Sequence, residues 1–253
     1  MTLAEAFSIG EKEVTSLVGA GGKTTLLYAL GRELSALRRG AILTTTTKIF
    51  EPEPSPSLLQ FLSPDLDALK TWVAEHAGCH QSLLVARGRL PEGKLAGIPP
   101  EWVDGLITMD GVSVIVAEAD GAAGRPLKAP RDGEPVVPGS TTLLVPVMGI
   151  DGLGRPLGEE TVFRSTIASR LLDMPMGSTV TEEAIARLMV ELIKHAPPGA
   201  RIIPLINKVD IPAGREKAER LARVILSLNR PGIRCVVLGR LQHLPAVKAI
   251  IAA

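Results

Sequence analysis

Short apolar runs alternate with longer segments of helical periodicity along most of the chain. The apolar runs are rich in Val, Ile and Leu, and they predict strands at 14–18, 41–45, 82–86, 113–117, 143–147, 202–206 and 235–238. Between them, apolar residues recur every three or four positions and predict helices at 24–38, 65–76, 100–108, 181–195 and 214–229. Strands that alternate with helices need crossover connections, so we predict an α/β fold with a doubly wound, mostly parallel sheet.

The helical pattern also predicts which residues are buried and how the chain is divided. The helix over 24–38 should bury one face, formed by Leu26, Leu27, Leu30, Leu34 and Leu37. We expect a single domain over residues 1–253, in which the mainly helical region 148–198 forms a small insertion or lid.

Composition excludes several classes of partner. The formal net charge is +1 and aromatic residues make up 3% of the chain, so neither a basic field nor stacking platforms indicate nucleic-acid binding. The N-terminal residues carry acids, and no apolar run reaches the ~18 residues of a membrane helix. We therefore expect a cytoplasmic protein that binds neither nucleic acid nor membranes.

The glycine-rich stretch L-V-G-A-G-G-K-T-T-L-L at 17–27 follows the first predicted strand and precedes the first predicted helix. Backbone N–H groups and the positive dipole end favour an anion at such a helix start. Lys23 can reach β- and γ-phosphates, and the Thr24 hydroxyl can join a Mg²⁺ shell. Leu17 replaces the first glycine of G-x-x-x-x-G-K-S/T, which leaves a shorter phosphate loop made of Gly19, Ala20, Gly21, Gly22, Lys23, Thr24 and Thr25. The fold expected is therefore P-loop NTPase-like.

Two carboxylates follow the apolar strand S-V-I-V-A, at Glu118 and Asp120. Nucleotide hydrolysis needs an acid at the end of a neighbouring strand to hold Mg²⁺ with Thr24. Side chains two residues apart on a strand point the same way, so either carboxylate can hold the metal while the other orients water.

The strand over 41–45 runs into T-T-T-T-K, and we expect it to neighbour the first strand. That position would place Thr46, Thr47 or Lys48 beside the γ-phosphate or the metal. The catalytic candidates are thus Lys23 and Asp120 together with these three residues. Four threonines also fit plain β-propensity on a partly exposed strand.

The Gly/Pro-rich segment 120–135 follows Glu118 and Ala119, and it is too long for a hairpin turn. Arg125 and Lys128 in this segment are candidates for closing over the phosphates, a second substrate or a client protein. Arg164 could act in the same way, and surface salt bridges would explain all three residues equally well.

N-K-V-D follows the strand over 202–206, with Asn207, Lys208 and Asp210 as candidate base-binding residues. In GTPases such an Asp accepts hydrogen bonds from guanine, and the lysine stem packs along the ring. No S-A-K/L follows the last predicted strand, so we favour GTP over ATP without excluding ATP.

V-G-A-G-G-K-T-T, T-T-T-T-K, E-A-D-G with P-L-K-A-P at 126–130, and L-I-N-K-V-D together resemble one family, the YqeC-like group. The resemblance runs from about Val14 to Asp210, and E-A-D-G with P-L-K-A-P is its most specific part. It implies NTP binding coupled to maturation of a selenium-dependent molybdenum hydroxylase or its cofactor.

Three functions remain open from the sequence. The first is an Mg²⁺-dependent hydrolase or transferase of GTP or ATP. The second is a nucleotide-gated binding protein or chaperone with negligible hydrolysis. The third is an ATP-dependent carboxylate ligase, suggested by the loop's likeness to Mur ligases, although we see no further C-terminal domain after Asp210. Dimerisation across the nucleotide site also stays open.

Overall fold

A computed structural model of the protein describes all residues from 1 to 253. Its helices and strands alternate along the chain, as the hydrophobic pattern predicts. In chain order they are α1 (Leu3–Ala6), β1 (Glu13–Gly19), α2 (Lys23–Ala36), β2 (Ile42–Thr45), β3 (Lys48–Phe50), β4 (Leu58–Leu62), α3 (Leu66–His76), β5 (Ser82–Ala86), β6 (Gly88–Leu90), β7 (Lys94–Ala96), α4 (Pro100–Leu106), β8 (Val114–Glu118), β9 (Leu127–Lys128), β10 (Leu143–Gly149), β11 (Val162–Phe163), α5 (Ser165–Leu172), α6 (Glu182–Ile193), β12 (Arg201–Ile202), β13 (Leu205–Asn207), α7 (Gly214–Ser227), β14 (Cys235–Gly239) and β15 (Val247–Ala252).

The central sheet has the strand order β4-β5-β2-β8-β1-β10-β13-β14-β15, with β12 also paired to β10. All of its strand pairs are parallel except β14 with β15. Every residue of β1, β8 and β10 is buried, as expected for parallel strands that helices cover on both faces. This architecture confirms the predicted α/β fold with a mostly parallel sheet.

Successive residues of β1 point into different hydrophobic cores. Leu17 packs with the leucines of α2 and with α1 on one face of the sheet. Val18 packs with α6 and α7 on the other face. The same face also carries α3 and α4, which pack around Val14. Helices on both faces leave the carboxyl ends of the strands open at one edge, where ligands bind in such sheets.

The strand predicted at 202–206 is divided into β12 and β13, and Pro146 in β10 explains the division. The register pairs Leu144 with Ile202 and Val147 with Leu205, so Pro146 lies opposite the break. Leu144 O accepts from Ile203 N, and residues two apart in a strand present their backbone groups to the same side. The N–H that Pro146 lacks would therefore have faced this break in the ladder.

The position of β2 corrects one expectation. The second strand does not neighbour the first, because β8 lies between them and pairs with both. T-T-T-T-K therefore follows a strand that is two places from the phosphate loop. Periodicity identifies strands but carries no information about their lateral order.

The predicted helical face of α2 needs a smaller correction. Leu26, Leu27, Leu30 and Leu34 are fully buried, whereas Leu37 is 49% exposed. The helix ends at Ala36, so the fifth leucine lies beyond its last turn. Leu37 fits the helical spacing of apolar residues. Because the helix ends one residue before it, its side chain is not directed toward the core.

Several elements carry too little sequence signal to be predicted. They are α1, α5, the edge strands β4 and β15, a three-stranded antiparallel sheet β3-β7-β6, and the short parallel pair β9-β11. The strand predicted at 235–238 is therefore not the last one, because β15 follows β14 and pairs with it antiparallel. None of the helices is both long enough and apolar enough to cross a membrane.

Residues 148–198, predicted as a helical insertion or lid, contribute to the body of the fold. α6 packs on β10 and β1 and against α7, which makes it the crossover helix between β10 and the strands that follow. Thr181 caps it by accepting a hydrogen bond from Ala184 N. The part before α6 contains β11 and α5, and α5 packs on α6.

We expect Leu34→Ala and Leu37→Ala to affect stability very differently. Leu34→Ala should lower the free energy of unfolding by about 2–5 kcal/mol, because it leaves a cavity in the core under α2. Leu37→Ala should change it by no more than about 0.5 kcal/mol, because half of this side chain is already in water. Urea unfolding of both variants measures the difference. Equal losses would contradict the position of the helix end.

Candidate functional site

The phosphate loop joins β1 to α2 through three glycines with left-handed backbone conformations. The φ angles of Gly19, Gly21 and Gly22 are +92°, +81° and +140°. A Cβ on Gly21 would collide with the backbone of Gly149, and one on Gly22 would collide with the side-chain amide of Asn207. Glycine is thus required both by the backbone conformation and by the close packing of the loop on its neighbours.

Three hydrogen bonds hold this loop against the strand ends around it. Ala20 N donates to Val147 O at 2.9 Å, and Gly21 N donates to Arg125 O at 3.0 Å. Asn207 Nδ2 donates to Gly21 O at 2.8 Å. The first turn of α2 receives no capping bond from a side chain, so its N–H groups and dipole favour an anion.

Lys23 lies inside the protein, between the two carboxylates at the end of β8. Its Nζ is 3.1 Å from Asp120 Oδ1 and 3.7 Å from Glu118 Oε1, and it also donates to Gly19 O. Burial alone would lower the pKa of Lys23, but the attraction of Asp120 and Glu118 outweighs it and raises that pKa above its ordinary value. The lysine is therefore charged in this conformation.

Glu118 faces the loop and the open space above it. Its Oε2 accepts a hydrogen bond from Thr24 Oγ1 at 2.7 Å. Burial raises the pKa of Glu118 above its ordinary value, and Lys23 and Thr24 oppose that rise. A carboxylate and a hydroxyl, both hard oxygen donors, are thus held side by side at the start of α2.

Asp120 is fully buried, and its Oδ1 accepts no hydrogen bond, although two lysines and a backbone N–H lie around the carboxylate. Its Oδ2 accepts from Gly19 N at 2.9 Å and lies 2.9 Å from Lys128 Nζ, while its Oδ1 faces Lys23. Unlike Glu118, it does not line the open space above the loop. Both carboxylates contact Lys23, but the rest of their surroundings differs.

Lys128 and Arg164, candidates for closing over a ligand, are engaged in an internal chain of ion pairs. Lys128 is 2% exposed and connects Asp120 to Glu134, whose Oε2 is 2.9 Å away. Arg164 binds both oxygens of Glu134, at 2.6 and 2.8 Å. Burial would raise the pKa of Glu134, but hydrogen bonds from Arg164 and Lys128 lower it to about 2. Sequence reasoning missed Glu134, which the Gly/Pro-rich composition around it makes look exposed.

Arg125, by contrast, lies at the edge of the open space. Its Nε donates to Glu159 O at 2.5 Å and its Nη2 is 3.6 Å from Glu160. The backbone of Arg125 braces the phosphate loop, while its side chain is partly exposed beside that loop.

The threonine segment at the end of β2 supports the end of β8. Thr45 Oγ1 donates to Glu118 O at 2.7 Å, and Thr46 Oγ1 donates to Val136 O at 2.7 Å. Thr47 Oγ1 is 3.3 Å from Thr45 Oγ1. Lys48 alone of this segment lines the open space above the phosphate loop.

N-K-V-D lies on the other side of the phosphate loop. Asn207 joins two loops, because its amide donates to Gly21 O and its Oδ1 accepts from Leu241 N at 3.1 Å. Lys208 Nζ is 2.8 Å from Asp151 Oδ2. Asp210 lies near His243, 3.6 Å from its Nε2, and faces the same open space.

The phosphate loop, Glu118, the residues from Gly121 to Arg125 and N-K-V-D border one cavity of about 830 Å³ at the carboxyl ends of the strands, whereas Asp120, Lys128 and Arg164 lie behind its wall. Six of its lining residues are cationic and two are acidic: Lys23, Lys48, Lys94, Arg125, Lys208 and Arg240, against Glu118 and Asp210. Such an excess of positive charge suits a polyanionic ligand.

Sequence reasoning missed two groups of lining residues. The first is Arg240, Leu241 and Gln242, which follow β14. Their position after the strand next to N-K-V-D was the available signal. The second is Phe50 and Lys94, which belong to the three-stranded sheet that periodicity does not reveal.

Comparisons with known proteins bear on the segment that carries these features. A family model described as YqeC protein matches residues 15–166, which include the phosphate loop, both carboxylates and the ion-pair chain. The uncharacterized protein YqeC of Escherichia coli (strain K12) is 30% identical over 237 residues, which cover 92% of this chain and 90% of that protein. No solved structure matches the chain significantly. The chain therefore belongs to the YqeC family.

Proposed function

We propose that the protein binds a nucleoside triphosphate with Mg²⁺ in this cavity, GTP in preference to ATP, and hydrolyses it. The observation that carries the proposal is the meeting of three segments around one space. These are the phosphate loop with Thr24, the end of β8 with Glu118, and the N-K-V-D segment. They are far apart in the chain, and the strand order β8-β1-β10-β13 brings their ends together.

At the phosphate end, Lys23 would exchange protein partners for phosphate oxygens. It is now bound to Asp120, Glu118 and Gly19 O. When Lys23 turns toward a ligand, Asp120 keeps Lys128 and the N–H of Gly19. The buried carboxylate would therefore stay compensated, which makes the movement of Lys23 feasible.

For the metal, we assign Thr24 and Glu118 as the protein ligands and give Asp120 a positioning role. The Thr24 hydroxyl and the Glu118 carboxylate are adjacent oxygen donors at the cavity, and Mg²⁺ commonly uses one or two such groups plus phosphates and water. A bound Mg²⁺ would neutralise charge on the phosphates during transfer. Asp120 is enclosed by cations and by Gly19 N, so it would hold the loop that presents these groups.

At the base end, we propose that Asp210 reads the guanine edge. Both ends of the Asn207 amide are already hydrogen-bonded, to Gly21 O and Leu241 N. Asn207 would therefore connect the base site to the phosphate loop and not contact the base itself. Asp210 has only a histidine at 3.6 Å and remains open toward the cavity. A carboxylate can accept both guanine N–H groups, whereas adenine offers no such pair.

We also propose a biological role, which rests on the family resemblance. Nucleotide turnover would serve the maturation of a selenium-dependent molybdenum hydroxylase or its cofactor. Its support is family membership. The chemistry of the cavity supports only the nucleotide steps.

Nucleotide choice can be tested by calorimetric titration of GTP and ATP into three variants. Lys23→Ala should weaken both nucleotides about 10–100-fold, because a charge-assisted contact is lost. Asp210→Ala should weaken GTP by about the same factor and leave ATP unchanged. Asp110→Ala, at an exposed position outside the cavity, is the matched control. Unchanged GTP affinity in Asp210→Ala would refute guanine reading, and intact binding in Lys23→Ala would refute the phosphate loop.

The metal assignment predicts that substitutions of Glu118 and of Asp120 have different effects. Glu118→Gln should reduce Mg²⁺-dependent phosphate release about 100-fold or more while the fold is retained, because the metal loses its charged ligand. Asp120→Asn should lower the melting temperature, because Lys23 and Lys128 lose a buried counter-charge. Phosphate release against Mg²⁺ concentration, with melting curves, measures both effects.

A wild-type turnover below about one per minute, in the range of slow unassisted GTPases, would contradict hydrolysis as the function. It would instead favour a nucleotide-gated binding protein. The ion-pair chain from Lys23 to Arg164 supports that second candidate, since it connects the phosphate loop to α5.

The ion-pair chain also predicts a pH dependence of stability. The pKa of Glu134 is about 2 in the folded protein and 4.5 in its ordinary state, so the folded form favours the carboxylate. Its stabilisation is fully present above pH 4.5 and is lost as the pH falls from 4.5 toward 2. Glu134→Gln should therefore show a shallower loss of unfolding free energy than wild type over that window. Urea unfolding at successive pH values measures this slope, with the exposed Glu75→Gln as control. Identical slopes in wild type and Glu134→Gln would contradict the assignment.

A further inference from the structure

We propose that the cavity contains a second binding site, for a flat heteroaromatic compound that bears a phosphate. The site is formed by Lys48, Phe50 and Lys94, which we call the β3 wall. None of these residues belongs to the proposed nucleotide contacts, although all three line the same cavity. The proposal rests on the proposed function for its biological meaning, as the place of a second substrate, but binding at the β3 wall can be measured independently.

The β3 wall is one face of the small antiparallel sheet. Lys48 and Phe50 are exposed while Ile49 between them is buried, so the two side chains share a face. Phe50 pairs in register with Lys94 on the neighbouring strand, and directly paired residues point to the same side. Two ammonium groups therefore accompany one aromatic ring on a single surface.

Backbone bonds fix this surface relative to the sheet that carries the phosphate loop. Gly97 N donates to Thr47 O at 2.7 Å, and Ile98 N donates to Thr45 O at 2.9 Å. Gly97 is glycine because a Cβ there would collide with the backbone at Thr45, Thr46 and Thr47. The β3 wall is thus held by the ends of the central sheet and does not hang free in solvent.

The β3 wall adjoins the metal side of the proposed nucleotide site. Tyr28 OH donates to Phe50 O at 2.8 Å, and Tyr28 lies one helical turn after Thr24 on the same face of α2. Burial raises the pKa of Tyr28, and the nearby charges of Glu118 and Glu51 raise it further. A compound on the β3 wall would therefore lie next to Thr24 and Glu118, where the γ-phosphate and Mg²⁺ are expected.

The chemistry of the β3 wall points to an aromatic anion. Phe50 is 59% exposed, although it belongs to a residue type that folding normally buries. Lys94 Nζ is 5.2 Å from the ring centroid and is held there by Glu92 Oε2 at 2.7 Å. An open ring offers a stacking surface for a planar heterocycle, and Lys48 and Lys94 offer charge for its phosphate. An aliphatic anion would make no stacking contact with the ring, and a neutral aromatic would leave Lys48, which has no ion-pair partner in the protein, without a counter-charge.

Riboflavin 5′-phosphate is a suitable probe, because it is planar, carries one phosphate and changes fluorescence when its ring stacks. It is titrated into the full-length protein with Mg²⁺, with and without a saturating non-hydrolysable GTP analogue. Wild type should bind it in both conditions, and about tenfold more tightly than riboflavin, which lacks the phosphate. Phe50→Leu and the double change Lys48→Gln with Lys94→Gln should each weaken it about tenfold. Arg89→Gln alters a cation of the same small sheet outside the cavity, and it should leave the affinity unchanged.

The outcomes separate the two proposals. Displacement of the flavin by the GTP analogue would mean that it occupied the nucleotide site, and would overturn the β3 wall assignment. So would equal affinity in wild type and Phe50→Leu, or no flavin binding by a protein that does bind the GTP analogue. If the analogue fails to bind while flavin binding still depends on Phe50 and the lysines, the β3 wall stands and the proposed nucleotide function fails. Melting curves establish that each variant is folded.

Discussion

The buried carboxylate of Asp120 is the constraint on which the site depends. A lone charge in the protein interior is strongly unfavourable, and it persists only where paired cations and hydrogen bonds compensate it. Here Lys23, Lys128 and the N–H of Gly19 supply that compensation. These partners come from the end of β1, the first turn of α2 and the short strand β9. One charge therefore connects these three segments, and Glu134 extends the chain to α5 through Arg164.

This arrangement explains how two carboxylates two residues apart can differ in role. Glu118 and Asp120 both contact Lys23, as expected from their common side of the strand. Glu118 has a hydroxyl and the cavity before it, and burial raises its pKa. Asp120 has two lysines around it and no open side. The difference comes from the loop that folds back over Asp120 and brings Lys128 with it, and not from the position of either residue along β8.

Much of the fold and most of the site segments could be predicted, because both depend on local signals. Buried parallel strands are continuous apolar runs, and a glycine-rich loop before a helix or N-K-V-D after a strand is recognisable by itself. The lateral order of strands is not local, so nothing in the periodicity could place β8 between β1 and β2. The burial of a charged residue is not a local property either, as Lys128 shows. A lysine in a Gly/Pro-rich loop is expected in solvent, and only the folded loop reveals the two carboxylates that make its burial possible.

The three glycines of the phosphate loop carry less information about a ligand than the sequence alone suggests. Gly21 and Gly22 would have to be glycine in this fold even without a phosphate, because Gly149 and Asn207 occupy the space of any Cβ. The close packing itself is the more informative feature. Asn207 reaches the loop from N-K-V-D and also binds Leu241, so hydrogen bonds join the loop, the N-K-V-D segment and the turn after β14. A plain turn between a strand and a helix would need no such bracing. The proposed function would give this bracing a physical reason, because preorganised donors bind a polyanion without a further cost of ordering.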